Sequence, residues 1–195
     1  FLRLGRLYPV HFFFLIVYFF IEVAKYFAQL KFEIYSPNSQ PFIENSLMAL
    51  FQQIFLIQAI GPTGNSLTFN GPAWSISVEF FTYLMFGVIT LLYHKNKVIF
   101  FLILSLIPLL MLGTQSTFGF SKLVGCLAGF FIGCLTANTT EKLSIIIPNY
   151  VSLFIFLIIL IFLQIKTPHE YDLTIYLLAS ALIASIVLSK KGLFI

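Results

Sequence analysis

Between Val98 and Gly113 the chain reads VIFFLILSLIPLLMLG, without one charged residue, and runs of this kind recur along most of its length. A helix needs about 17–25 mostly apolar residues to cross a hydrocarbon layer roughly 30 Å thick, in which each backbone polar group must be satisfied within the segment. The pattern predicts helices near Tyr8–Leu30, Asn45–Ile60, Trp74–Tyr93, Val98–Gly113, Phe118–Thr136, Val151–Ile165 and Leu173–Ser189, with the second the weakest. Between them SPNSQP, GPTGNSLTFNGPA, HKNK and KTPHEYD carry the Pro, Gly, Asn and charge that stop helices. The expected fold class is therefore all-α, a polytopic transmembrane helix bundle with six or seven apolar helices in a single domain over residues 1–195.

Composition supports lipid as the solvent for this surface. Charged residues make up 9% of the chain and hydrophobic ones 59%, and the mean hydropathy is +1.00. Too few charges exist to coat a soluble domain of this size. The net charge of +4 is small and the bases stand near the ends of apolar runs, which argues against a nucleic-acid footprint. Cys126 and Cys134 lie on one face of one apolar segment, where a single helix offers no disulfide geometry, so both read as small packing residues. The chain opens on FLRLGRLYPV without an initiator methionine or a leader, and closes on SKKGLFI where another segment could begin. It reads as a piece truncated at both ends.

The basic residues also bear on orientation, because cytoplasmic loops retain Lys and Arg. If Arg3 and Arg6 are cytoplasmic and Asn45–Ile60 crosses fully, then Lys95, Lys97, Lys142, Lys190 and Lys191 fall outside. If that segment only dips in, those five join the two arginines, placing seven of eleven bases inside. Gln52, Gln53 and Gln58 favour the second version, since they are costly against lipid and are expected to line a cavity.

An ionisable group within a membrane costs about 2.5–3.5 kcal/mol on insertion scales, so each one calls for a reason. Glu79 is the clearest. In NGPAWSISVEFFTYLMFG, Ser75, Glu79 and Tyr83 are four apart and share a helical face, with Trp74 at the boundary. The plainer readings are an ion pair for Glu79, interfacial anchoring for Trp74 and helix N-capping for Ser75. Arg3 and Arg6 share a face before the first run, either as positive flanks or as a clamp for a phosphate-bearing donor. His11 at the membrane edge reads first as a hydrogen-bonded boundary residue and second as a general base. His94 and His169 sit in loops with no ligand cluster around them, so no metal site is expected. Glu22 and Lys25, three apart, are expected to neutralise each other. Gly125, Gly129 and Gly133 form a small-residue face for close helix packing after Lys122.

With Arg3, Arg6, Tyr8 and Pro9 in RLGRLYP, and Trp74, Ser75, Ser77, Glu79 and Tyr83 in NGPAWSISVEFFTY, the chain resembles the acyltransferase family 3 membrane proteins. FSKLVGCLAGFFIGCL also looks like the family's Gly-faced helix, with Lys122 where an arginine is more usual. The resemblance implies a bundle of about ten helices in the bacterial inner membrane, with this chain in its middle. It further implies transfer of an acyl group, acetyl above all, from cytoplasmic acyl-coenzyme A as co-substrate to a hydroxyl of a carbohydrate or glycolipid acceptor. Arg3 and Arg6 map to the donor side and Glu79 to the family's acidic residue, with Ser75 beside it as a catalytic candidate and Trp74, Ser77 and Tyr83 in support. The family's first-helix histidine precedes the arginine pair; His11 does not match it, so the chain alone is expected to be inactive. The alternatives are a transporter or flippase-like bundle, which also places carboxylates and arginines on a substrate path, and a non-catalytic remnant.

Overall fold

The computed structural model describes residues 2–36, 39–61, 65–164 and 172–191. Among the described residues it contains seven α-helices, one 3-10 turn and no strand. The helices are α1 (Leu2–Phe32), α2 (Leu47–Ile54), α3 (Trp74–Leu92), α4 (Lys97–Gly113), α5 (Ser121–Lys142), α6 (Asn149–Gln164) and α7 (Asp172–Lys191). Each of the seven apolar runs thus contains a helix, with ends shifted by a few residues. Arg3 and Arg6 are not a prelude to the first helix but lie within its opening turns, because Leu2–Phe32 continues through Pro9.

Among the described residues three stretches are long and apolar enough to cross a membrane: Gly5–Phe32, Gly71–Leu92 and Ser121–Lys142. Only 17–28% of the residues in their most apolar windows are buried. Their outer faces need an apolar medium. The second run differs in kind: α2 has eight residues, about 12 Å of helix against a hydrocarbon layer of roughly 30 Å. It does not span.

The chain divides into two compact units, Phe1–Met85 and Phe86–Ile195. In the first, α1 buries one stripe, Tyr8, His11, Leu15, Tyr18, Phe19 and Glu22, at the three- and four-residue steps of a helical face. Leu15 packs with Ala49 and Phe69, and Tyr18, Phe19, Leu50 and Ile54 close around them. Ser46 caps α2, its Oγ accepting the Ala49 N–H at 3.2 Å.

In the second unit α4 packs on α5, α5 on α7 and α6 on α7. Phe101 stacks on Phe86 at 5.6 Å between ring centroids and meets Phe131 at 5.4 Å. Two of the three glycines expected to form a packing face on α5 are used where α7 crosses: a methyl on Gly125 would stand 2.9 Å from the Tyr176 hydroxyl and one on Gly129 3.0 Å from its ring, whereas Gly133 faces open space. The phenol lies where side chains are missing. Cys126 and Cys134 are half-buried thiols on this helix. Helix α6 buries none of its residues.

Candidate functional site

The polar groups of the first unit concentrate where residues 42–61 and 65–73 meet α1 and the start of α3. Glu22 is 4% exposed and is the hub of the outer group. It pairs with Lys25 at 2.5 Å, accepts from the Phe42 backbone N–H at 3.1 Å, and accepts from Asn45 Nδ2 at 2.8 Å. Neutralisation by Lys25, expected from spacing, is accordingly one of three contacts. Asn45 then turns its Oδ1 to the backbone N–H of Phe69 at 2.5 Å. One carboxylate therefore ties the two ends of the irregular segment together through a single amide side chain.

His11 is the next level. It is 1% exposed and hydrogen-bonded, its Nε2 lying 2.9 Å from the Gln53 carbonyl. A carbonyl only accepts, so Nε2 carries the hydrogen. Tyr8 donates in the same way to the Ile54 carbonyl at 3.0 Å. Both donate to carbonyls in the last turn of α2, that of Gln53 also accepting the Leu56 N–H at 3.3 Å.

The glutamines correct the sequence expectation. Gln52, Gln53 and Gln58 are all buried. Gln53 Nε2 donates to the Thr68 carbonyl at 2.7 Å, and Gln58 Nε2 to the Ala73 carbonyl at 2.9 Å. At this burial they border no open cavity, and Gln53 and Gln58 instead bring N–H donors to backbone carbonyls. An open apolar groove of about 410 Å³ lies instead on α6, lined by Tyr150, Val151, Leu153, Phe154 and Leu157, and contains none of the motif residues.

Three non-glycine residues of this segment adopt positive φ: Phe42 at 59°, Leu56 at 57° and Phe69 at 53°. Such conformations cost on the order of 1–3 kcal/mol each and persist where the surroundings over-determine them. Each is held by a side chain. Glu22 takes the Phe42 N–H, Asn45 takes the Phe69 N–H, and Ser77 Oγ donates to the Leu56 carbonyl at 2.5 Å. Close packing also constrains the segment's end, where a methyl on Gly61 would overlap Nε2 of the buried Gln52 and stand 2.9 Å from the Ile57 carbonyl. Gly61→Ala is accordingly expected to destabilise the unit by about 1–3 kcal/mol, the range for overpacking. An unchanged melting temperature of the detergent-solubilised protein would show that Gln52 yields freely.

The motif of α3 divides between two sides. Ser77 is fully buried and faces the 56–59 backbone, where it also accepts the Ala59 N–H at 3.3 Å. Ser75 is exposed, Glu79 and Tyr83 are half-buried, and these three share a face, as their spacing predicts. Trp74, also half-buried, opens the helix after the 3-10 turn Gly71–Ala73. Ser75 does not cap it: its Oγ donates to the Pro72 carbonyl at 3.0 Å instead of accepting an N–H, because the 3-10 turn carries the chain into the helix first. Arg6 is exposed on α1; Arg3 lies on the same helix, and its side chain is outside the described residues. His94 is exposed in a turn, and His169 lies outside the described residues. Among the described residues no group of three or more His, Cys, Asp or Glu is arranged to hold a metal ion.

Sequence reasoning missed the pairing of His11 with Gln53 and of Glu22 with Asn45. The available signal was that all four are polar residues inside or beside apolar runs. No family model, no curated protein and no solved structure matches the chain.

Proposed function

We propose that the chain is part of a polytopic membrane O-acyltransferase of the acyltransferase family 3 kind, acting in the bacterial inner membrane. It moves an acyl group, acetyl above all, from acyl-coenzyme A to a hydroxyl of a cell-surface carbohydrate or glycolipid. The observation that carries the reading is the face Ser75–Glu79–Tyr83, half-open on a helix long enough to cross a membrane, behind which the buried Ser77 ties the helix to its support. Ionisable residues on such helices are rare and mark functional paths by default.

In this reading Glu79 takes the proton from the acceptor hydroxyl as its oxygen attacks the thioester carbonyl. The new carbon–oxygen bond forms, the carbon–sulfur bond breaks, and the coenzyme A sulfur leaves as the thiol with the proton that Glu79 accepted, which restores the carboxylate. Tyr83, and Ser75 once its hydroxyl turns from the Pro72 carbonyl, offer hydroxyl donors to the oxyanion that develops between those events. Arg3 and Arg6 grip the phosphates of coenzyme A with charge-assisted hydrogen bonds.

The test is acyl transfer in membranes that express the open reading frame encoding this chain. Arg3→Ala and Arg6→Ala are each expected to raise the KM for acyl-coenzyme A by about 10- to 100-fold, since a hydrogen bond to a charged group contributes about 1.5–3 kcal/mol. The KM for the acceptor should stay near its original value. Equal effects on both substrates would remove the donor clamp from this account, and a competent export of substrate without acylation would favour the transporter reading.

A further inference from the structure

Residues 56–59 hold the beginning of α3 at two levels. Gln58, 1% exposed, donates to the carbonyl of Ala73, the residue immediately before Trp74. Ser77, fully buried, donates to the Leu56 carbonyl and accepts the Ala59 N–H. Ala73 and Ser77 flank Trp74 and Ser75 in the chain. The orientation of the Gln58 amide is fixed by its partner, since a carbonyl can face only the NH2 end.

The geometry of this clasp is specific in a second way. Leu56 stands in the left-handed region at φ 57°, and its carbonyl is the one Ser77 reaches. Ser77 and Ser75 are two positions apart on a helix, about 200° around its axis. Fixing Ser77 inward therefore fixes Ser75, Glu79 and Tyr83 outward. Fixing Ala73 stops the first turn from fraying or sliding along the axis.

We infer that Gln58 and Ser77 are positioning residues for the Ser75–Glu79–Tyr83 face, acting through the backbone of the turn Gly71–Ala73 and the first turn of α3. The inference rests on the acyl-transfer reading of that face. Neither residue touches the reacting atoms, so their loss acts on turnover more than on donor binding. A displacement of about 1 Å at a reacting group costs up to about 100-fold in rate.

The test uses Gln58→Met, which keeps length and removes the donor, and Ser77→Ala, with Ser77→Thr as the variant that retains the hydroxyl. Turnover per folded protein, counted by size-exclusion of detergent-solubilised membranes, is expected to fall about 10-fold or more in the first two with the donor KM unchanged, and to recover in Ser77→Thr. A loss that follows only the amount of folded protein, or a rise in donor KM with turnover intact, overturns the inference. A second readout needs no activity. In a chain whose Cys126 and Cys134 are replaced by alanine, Ser75→Cys should react faster with a maleimide once Gln58→Met releases the turn. An unchanged or slower rate overturns the clasp. If the unmodified protein transfers no acyl group, the acyl-transfer reading fails on its own, and the maleimide rates still decide whether Gln58 holds the face.

Discussion

Glu79→Gln is expected to lower acyl transfer by at least about 100-fold, the lower range for losing a general base, while the protein inserts and folds as before. The substitution keeps the size and most of the hydrogen-bonding capacity of the side chain but removes the proton acceptor. Glu79 is half-buried and shares its face with Ser75 and Tyr83. Ser77 and the Ala73 carbonyl, whose buried contacts hold α3 to the 56–59 backbone, are untouched by the substitution. Neutralising a carboxylate on a membrane-crossing helix should, if anything, ease insertion. The readouts are labelled acyl transfer and the yield of monodisperse protein from membranes. Retained transfer would reduce Glu79 to packing, and loss of the folded protein would make it a structural ion.

Glu22→Ala is expected to have the largest effect on stability, about 3 kcal/mol, at the lower end for breaking a buried ion pair by removing one partner. The reason lies in what the carboxylate holds together. It takes the N–H of Phe42, whose φ is positive, and it orients Asn45, which in turn takes the N–H of Phe69, also at positive φ. Removing it leaves Lys25 without its counter-ion and releases two strained positions at once. Hydrogen exchange should rise at the Phe42 and Phe69 amides before it rises in α1. Glu22→Gln retains an acceptor and should lose less. If Glu22→Ala melts at the original temperature, the segment is held by its apolar contacts at Leu15, Ala49 and Phe69 alone.

These two carboxylates show how far the sequence could be read. Both stood out as charges inside apolar runs, and the helices around them were visible because length and hydropathy are local properties. The irregular nature of the second run was visible too, since Gln52, Gln53 and Gln58 do not suit a lipid-facing helix. What those glutamines do was not legible. Gln53 and Gln58 reach carbonyls fifteen residues along the chain at Thr68 and Ala73, and a carbonyl leaves no mark in a sequence. The same applies to His11 and Gln53, 42 residues apart. On α1 the buried stripe alternates His11 and Glu22 with Leu15 and Phe19, so a search for an apolar face passes over it. The capping alternative for Ser75 does not hold because a 3-10 turn precedes the helix, and the residue types at Gly71–Ala73 do not distinguish that entry from a simple N-terminus.

The motif itself was legible as residues, and the structure adds the division of labour between its two serines. Ser77 belongs to the support and Ser75 to the open face. An acyl-transfer mechanism needs that difference, because a fully buried hydroxyl bonded to a carbonyl at 2.5 Å is not available to substrate.

The central claim is tested most directly by supplying radiolabelled acetyl-coenzyme A to membranes that express the open reading frame and following the label into surface carbohydrate. The account predicts label in the carbohydrate, none when Glu79→Gln replaces the original chain, and the same amount of inserted protein in both. Label that appears equally with either protein, or in neither while both are inserted, would contradict it.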